Sequence, residues 1–324
     1  MPSSSVTTFT DPYEHQHAIL TGPVELFVTE RGHYTGQLTR VELDCLRIHR
    51  NREPALVAHA ITDDDRIPIF FLTDTQQAAY FHSGLELLPG DIIFYAKSSE
   101  YYRRSFSEAR WGAMSLPVQE LAAAGEAVVG RELTAPASNR LIRPPPALMT
   151  RLLRLHEAAG QLAETAPDIL AHPEVARVIK QELVRVMVAC LTDPAAVERR
   201  GPSQQAVIRR FEQILEARQN EPLYITEVCA AIGVSDRTLR QRCQEHLGIN
   251  PHRYLWLRRM HQARRALTAA DGETKTVTEI ATEHGFWELG RFAVAYRELF
   301  GETPSATLRQ LRIGPEPGHV EQRP

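Results

Sequence analysis

Two segments in the last third of the chain share one layout. "IGVSDRTLRQRCQEHLGINP" (232–251) and "HGFWELGRFAVAYRELFGETP" (284–304) each place a glycine ahead of an amphipathic stretch that closes on a second glycine and a proline. Short apolar runs, "ITEVCAAIG" and "TVTEIATEHG", lead into them. A helix-turn-helix needs this arrangement: a glycine free to take positive φ at the turn, with apolar residues on both sides to lock the helices. One copy fits an ordinary helical hairpin equally well. Two copies joined by a long pattern, "PHRYLWLRRMHQARRALTA", constrain the fold far more and predict an all-α domain over 205–311.

In the first copy Val228, Cys229, Ile232, Val234 and Leu239 form the expected lock and Gly233 the turn. In the second, Ile280, Ala281, Phe286 and Phe292 lock and Gly285 turns. Ser235 is a good N-cap, and Thr276 with Glu279 has capping-box spacing. The second helix of such a unit enters the DNA major groove. The first copy then offers Ser235, Arg237, Thr238, Arg240, Gln241 and Arg242; the second offers Leu289, Gly290, Arg291, Val294 and Arg297. Arginine reads guanine with two hydrogen bonds, and glutamine reads adenine. The first copy is therefore expected to do more of the base reading, and the second to add apolar and phosphate contacts.

Charge agrees. The chain carries 37 basic and 40 acidic residues, net −3, yet Ser235 to Arg265 holds eight basic residues against two acidic ones. A basic cluster in an acidic protein suggests a polyanion site, though a solvated helix face gives the same count.

The rest of the chain reads differently. "ELFVTE", "RVELDCLRI", "ALVAHAI", "IPIFFLTD", "LELLPGDIIFY" and "RWGAMSLPV" are strand-like runs split by turn residues. They predict a β-sandwich or barrel within 1–140, with residues 1–22 as a loose arm or first edge strand. "LIRPPPALM" ends that pattern. Helices are expected near 147–163 and 173–192. The apolar stripe Val175, Ile179, Leu183, Val186 and Cys190 would face either the β-domain or a dimer partner, so 141–192 reads as a helical dimerisation or linker region. Residues 193–204 read as a linker and 312–324 as a flexible tail. The fold class is thus α+β: two domains, an N-terminal cupin-like β-sandwich with helices and a C-terminal all-α domain with two helix-turn-helix units.

Residues 205–311 resemble the DNA-binding domain of AraC/XylS-family transcription regulators. The resemblance rests on "GVSDRTLRQRCQEHLGINPHRYLWLRRMHQARRAL" and "IATEHGFWELGRFAVAYRELFGETPSATL". It implies two reading heads held by the helix from Pro251, reaching major-groove segments about one helical turn (~34 Å) apart. Arg242 stands where the family often has an apolar residue. Gly290, Ala293 and Val294 stand where it often has polar or basic ones. The N-terminal half resembles the family's effector-sensing domain, with "GLELLPGDIIF" as landmark. "TTFTDPYEHQHAIL", "GHYTGQLTRVELDCLRIHR" and "GFWELGRFA" make the whole chain similar to the ethanolamine-utilisation activator subgroup, which implies a small amine and a cobalamin as effectors. No ligand residue can be matched to carry that effector over.

The expectation is a ligand-responsive, sequence-specific transcription regulator, an activator of a catabolic operon. Its partners would be double-stranded promoter DNA, RNA polymerase, a small-molecule effector and a second copy of itself. No cofactor and no membrane partner are expected, and the absence of a signal-peptide pattern points to the cytoplasm. Phe70, Phe71, Tyr95 and Trp111 are candidate pocket walls. Alternatives are a cupin-type enzyme fused to a DNA-binding module, or an effector-independent DNA-binding protein. The spacing of His15 and His17 beside Glu14 invites a metal, but the pair precedes the strands. His33, His49, His59 and His82 read as polar positions at strand edges. Catalytic and metal sites are not expected, and no hydrolase, zincin, Walker or Rossmann motif is present. The four cysteines read as apolar fillers.

Overall fold

A computed structural model describes residues 2–19, 22–200, 206–218, 223–270 and 275–310. The expected tail (312–324) and part of the expected linker lie outside these. The strands are β1 (Ser3–Phe9), β2 (Val24–Val28), β3 (Gly36–Leu43), β4 (Leu46–Glu53), β5 (Leu56–Ile61), β6 (Arg66–Leu72), β7 (Tyr80–His82), β8 (Leu85–Leu87), β9 (Ile92–Phe94), β10 (Glu100–Arg104), β11 (Ala109–Pro117), β12 (Arg140–Arg143) and β13 (Val197–Arg200). The helices are α1 (Pro12–Ala18), α2 (Val118–Val129), α3 (Pro146–Thr165), α4 (Pro167–Ala171), α5 (Pro173–Thr192), α6 (Ala206–Ala217), α7 (Ile225–Ile232), α8 (Asp236–Leu247), α9 (Pro251–Ala269), α10 (Val277–Glu283), α11 (Leu289–Phe300) and α12 (Pro304–Gln310).

The strands form two antiparallel sheets, ordered β1-β3-β4-β11-β6-β9-β12-β13 and β2-β5-β10-β7-β8. Successive side chains on a strand point to opposite faces, so the larger sheet supplies two cores. Leu38, Phe70 and Trp111 pack inward against Leu26, Leu56 and Ala58 of the smaller sheet. Ile48, Phe71 and Met114 pack outward under α3 and α5, where Leu152, Leu183, Val186 and Cys190 cover them. The stripe on α5 is thereby buried mainly on its own domain.

Several expectations change. "RVELDCLRI" is two strands: Asp44, with φ 57°, turns the chain between β3 and β4, and Cys45 sits in that turn. Residues 197–200, expected as linker, pair with β12 as an edge strand. Of the two readings of the first residues, the edge strand holds: β1 runs along β3, and α1, which the sequence did not suggest, follows it. Helix α2, "VQELAAAGEAVV", has no counterpart in the sequence reading. Its moderately apolar, alanine-rich pattern lacks a sharp stripe. Among the described residues no helix is long and apolar enough to cross a membrane.

Candidate nucleic-acid interface and its junction with the β-domain

Both turns share one local geometry. Gly233 and Gly285 hold φ of 80° and 75°. The amide after each glycine reaches back five residues, Val234 to the Cys229 carbonyl at 3.1 Å and Phe286 to the Ala281 carbonyl at 2.9 Å. This helix-ending bond works only when the preceding residue is left-handed, which glycine allows at least cost. Val228, Leu239, Ile280 and Ala281 are fully buried at the two locks, with Val234 and Phe286 packed beside them. The Ser235 hydroxyl accepts from the Thr238 amide at 3.2 Å, and the Thr276–Glu279 capping box forms.

Beyond each turn, the expected reading residues lie on the outside. Ser235, Arg237, Arg240, Gln241, Leu289, Gly290, Arg291, Val294 and Arg297 are exposed, and Thr238 and Arg242 are half-buried. Most are occupied at home. Arg240 Nη2 meets Asp236 Oδ2 at 2.7 Å, Arg242 Nη1 meets Glu245 Oε2 at 2.7 Å, and Gln241 donates to Glu245 Oε1 at 2.9 Å. Arg291 pairs with Glu288 at 2.8 Å. Among the described residues Arg237 and Arg297 have no ion pair. The second copy differs as expected: its outer face is apolar, with Leu289 and Val294 exposed. Trp287, just before α11, is likewise exposed, at 67%, and was missed. An aromatic directly ahead of a recognition helix was the available signal.

The basic cluster is only partly a DNA face. Along α9, Arg258, Arg264 and Arg265 turn toward the β-domain. Arg264 pairs with Asp11 at 2.9 Å and Glu302 at 3.2 Å, Arg265 with Glu25 at 3.6 Å, and Arg258 with Glu25 at 3.8 Å. Phe27 of β2 stands edge-on to Tyr254 and His261, both at 5.6 Å. Burial pushes the His261 imidazole down to about 3, with Arg264 and Arg265 adding to the shift against a hydrogen bond to Val28. Beside this junction lies a cleft of about 500 Å³, lined mainly by Pro12, Tyr13, Leu26, Phe27, His261 and Ala266. The far ends of both reading helices also touch the β-domain. Gly32 donates to the Glu298 carbonyl at 3.0 Å, and Gly248 lies beside Phe81 and Arg104.

Inside the sandwich, Arg103 and Glu53 form a buried ion pair, with the Tyr80 hydroxyl on Glu53 at 2.8 Å. The Arg103 guanidinium lies 4.9 Å from the Trp111 ring. Phe70, Tyr95 and Trp111 face this interior, whereas Phe71 points the other way, edge-on to His156. The four expected pocket walls therefore do not form one set. His15 and His17 do not face one another, because they sit on a helix, where residues two apart diverge. His15 is buried between Tyr34 and Asn51, at 2.5 and 2.7 Å. His49, His59 and His82 are buried rather than edge positions.

Two turn-linked helix pairs on one rigid spacer, with arginine-bearing second helices outward, define a double helix-turn-helix DNA-binding domain. A family model described as "Helix-turn-helix domain" matches residues 228–310. The chain is 37% identical over 149 residues to the "Probable thc operon regulatory protein" of Rhodococcus erythropolis, covering 45% of each. It is 34% identical over 103 residues to the "XylDLEGF operon transcriptional activator" of Pseudomonas putida, covering 32% of each. A solved structure of "a probable AraC family transcriptional regulator from Rhodopseudomonas palustris CGA009" is 36% identical, with TM-score 0.29, covering 33% of this chain and 97% of that one. The chain thus spans less than half the length of these curated relatives. Residues 228–310 form a helix-turn-helix domain similar to that of AraC/XylS-type transcription regulators. Its relatives are the thc and xyl operon proteins, which displaces the resemblance to the ethanolamine-utilisation subgroup.

Proposed function

We propose that this chain is a ligand-responsive activator of a catabolic operon, acting in the cytoplasm on double-stranded promoter DNA. The carrying observation is the pair of outward reading helices, α8 with Arg237, Arg240 and Gln241, and α11 with Arg291, Val294 and Arg297. The first reads bases. The second adds thymine-methyl and phosphate contacts through Leu289, Val294 and the arginines. The relatives' printed roles in thc and xyl operons support activation of a catabolic operon. RNA polymerase and a second copy of the chain are the further partners of this reading.

The effector is a small organic molecule. Phe70, Tyr95 and Trp111 around Arg103 offer aromatic walls inside the sandwich, and Phe71 drops out of that set. One observation favours a second location: the interdomain cleft touches both domains, so a ligand there would bias their docking directly. Footprinting of the purified protein on the promoter of its neighbouring operon, with and without candidate metabolites, tests the reading. Protection of two adjacent major-groove segments is expected. Absence of any promoter binding at moderate salt would sink it.

A further inference from the structure

We propose that His59, Glu100 and Glu216, with Glu212 behind them, form a site for one divalent first-row transition-metal ion of the zinc class, joining the two domains. The three ligand-capable side chains come from β5, β10 and α6. Their ligand atoms all lie within 4.8 Å of one another. An ion bound at roughly 2.0–2.2 Å from each donor needs that kind of convergence.

Acidic groups converge on many surfaces without an ion, so a second observation is needed, and Glu212 supplies it. It is 1% exposed, and among the described residues neither carboxylate oxygen has a hydrogen-bond partner. Arg258 Nη1 stands 3.9 Å away, beyond hydrogen-bond reach. Buried carboxylates without partners are rare and call for an explanation such as an ion. Glu212 lies one helical turn before Glu216, on the same face of α6. Burial pushes the Glu212 carboxyl up to about 7, against the nearby His59 and Arg258.

The surroundings suit a cation. Tyr102 stacks on the His59 ring at 4.7 Å, and its hydroxyl donates to Glu100 Oε1 at 2.8 Å. Such outer contacts fix the orientation of a ligating imidazole and carboxylate. His59 Nε2 now meets Glu100 Oε1 at 2.9 Å, and an ion would take the place of that bond. Glu25 adds a fourth negative charge, opposed by Arg258 and by Arg209, whose field reaches Glu100. One imidazole with carboxylates suits zinc, cobalt or manganese; calcium prefers an all-oxygen set. Because the ligands span both domains, binding would stabilise their docked arrangement.

Full-length protein stripped with a chelator is titrated with Co²⁺ and followed by its visible ligand-field bands, then challenged with Zn²⁺. Uptake of one ion per chain is expected, with a rise in Tm. Glu216→Gln, at an exposed position, should fold normally by circular dichroism, weaken binding by roughly tenfold or more, and lose the Tm rise. His59→Asn should do the same, while His17→Gln, at an exposed histidine outside the site, should change nothing. The proposal is overturned by no one-to-one uptake, by uptake unchanged in both Glu216→Gln and His59→Asn, or by loss in His17→Gln alone.

Discussion

Arg240→Ala separates base reading from charge attraction. Arg240 is half-exposed and pairs with Asp236 one turn earlier at 2.7 Å. An exposed pair at this helical spacing contributes only about 0.3–0.5 kcal/mol, so the variant should fold and melt almost as the parent does. On DNA the guanidinium must leave Asp236, at that same small cost, to bond a guanine edge. A two-bonded contact is worth about 1–3 kcal/mol against the wrong base, or roughly 5- to 150-fold in Kd. The expected net loss is near the middle of that range and falls on one base pair. The assay is binding-site selection from randomised DNA, then fluorescence anisotropy on the selected site and its single-base variants over a salt series. The parent should discriminate at that base pair and Arg240→Ala should not, with the salt slope nearly unchanged. Uniform weakening on every sequence, with the slope reduced by about 0.9, would identify a phosphate contact and refute the assignment.

Gly233→Ala meets no neighbour within 4 Å, so only the left-handed backbone opposes it. Thermal melts should show a loss of about 1–2 kcal/mol, and a larger loss would reveal packing the geometry does not show. Leu239→Ala removes a fully buried residue at the first lock, and denaturant melts should record a loss of about 2–5 kcal/mol. His261 is held neutral between the domains, its pKa pushed down to about 3. Its support for docking is complete above the ordinary histidine value of about 6.5 and is lost as pH falls toward 3, by about 2 kcal/mol at pH 5. Small-angle scattering should therefore show expansion on acidification, less steep in His261→Gln; identical profiles would exclude His261 as the cause.

The C-terminal domain was legible because its constraints are local. Gly233, Gly285, Ser235 and the Thr276–Glu279 pair each act within one turn of chain, and sequence spacing displays them. The exposed reading residues followed from helical periodicity. The junction was not legible. Asp11 and Arg264, or Glu25 and Arg265, are far apart in sequence, and nothing local marks them as partners. The basic count from Ser235 to Arg265 therefore overstated the DNA face, since part of it answers acids on β2 and ahead of α1. The error over Phe71 has a different origin. Adjacent aromatics on a strand always face opposite ways, and strand alternation alone could have separated Phe70 from Phe71. Helix α1 was legible in principle, because "DPYEHQHA" begins with an Asp-Pro helix start.

The spacer helix α9 has a consequence for engineering. Its outer flank belongs to the hydrophobic core shared with Phe27, Val57 and Tyr102 of the β-domain. A chimera that grafts this double reading head onto another sensor would lay bare Tyr254 and His261 and take Asp11 away from Arg264 and Glu25 away from Arg258 and Arg265. Exchange of sensors should succeed only where the incoming domain brings equivalents of Asp11, Glu25 and Phe27, so the two halves are less interchangeable than their separate folds suggest.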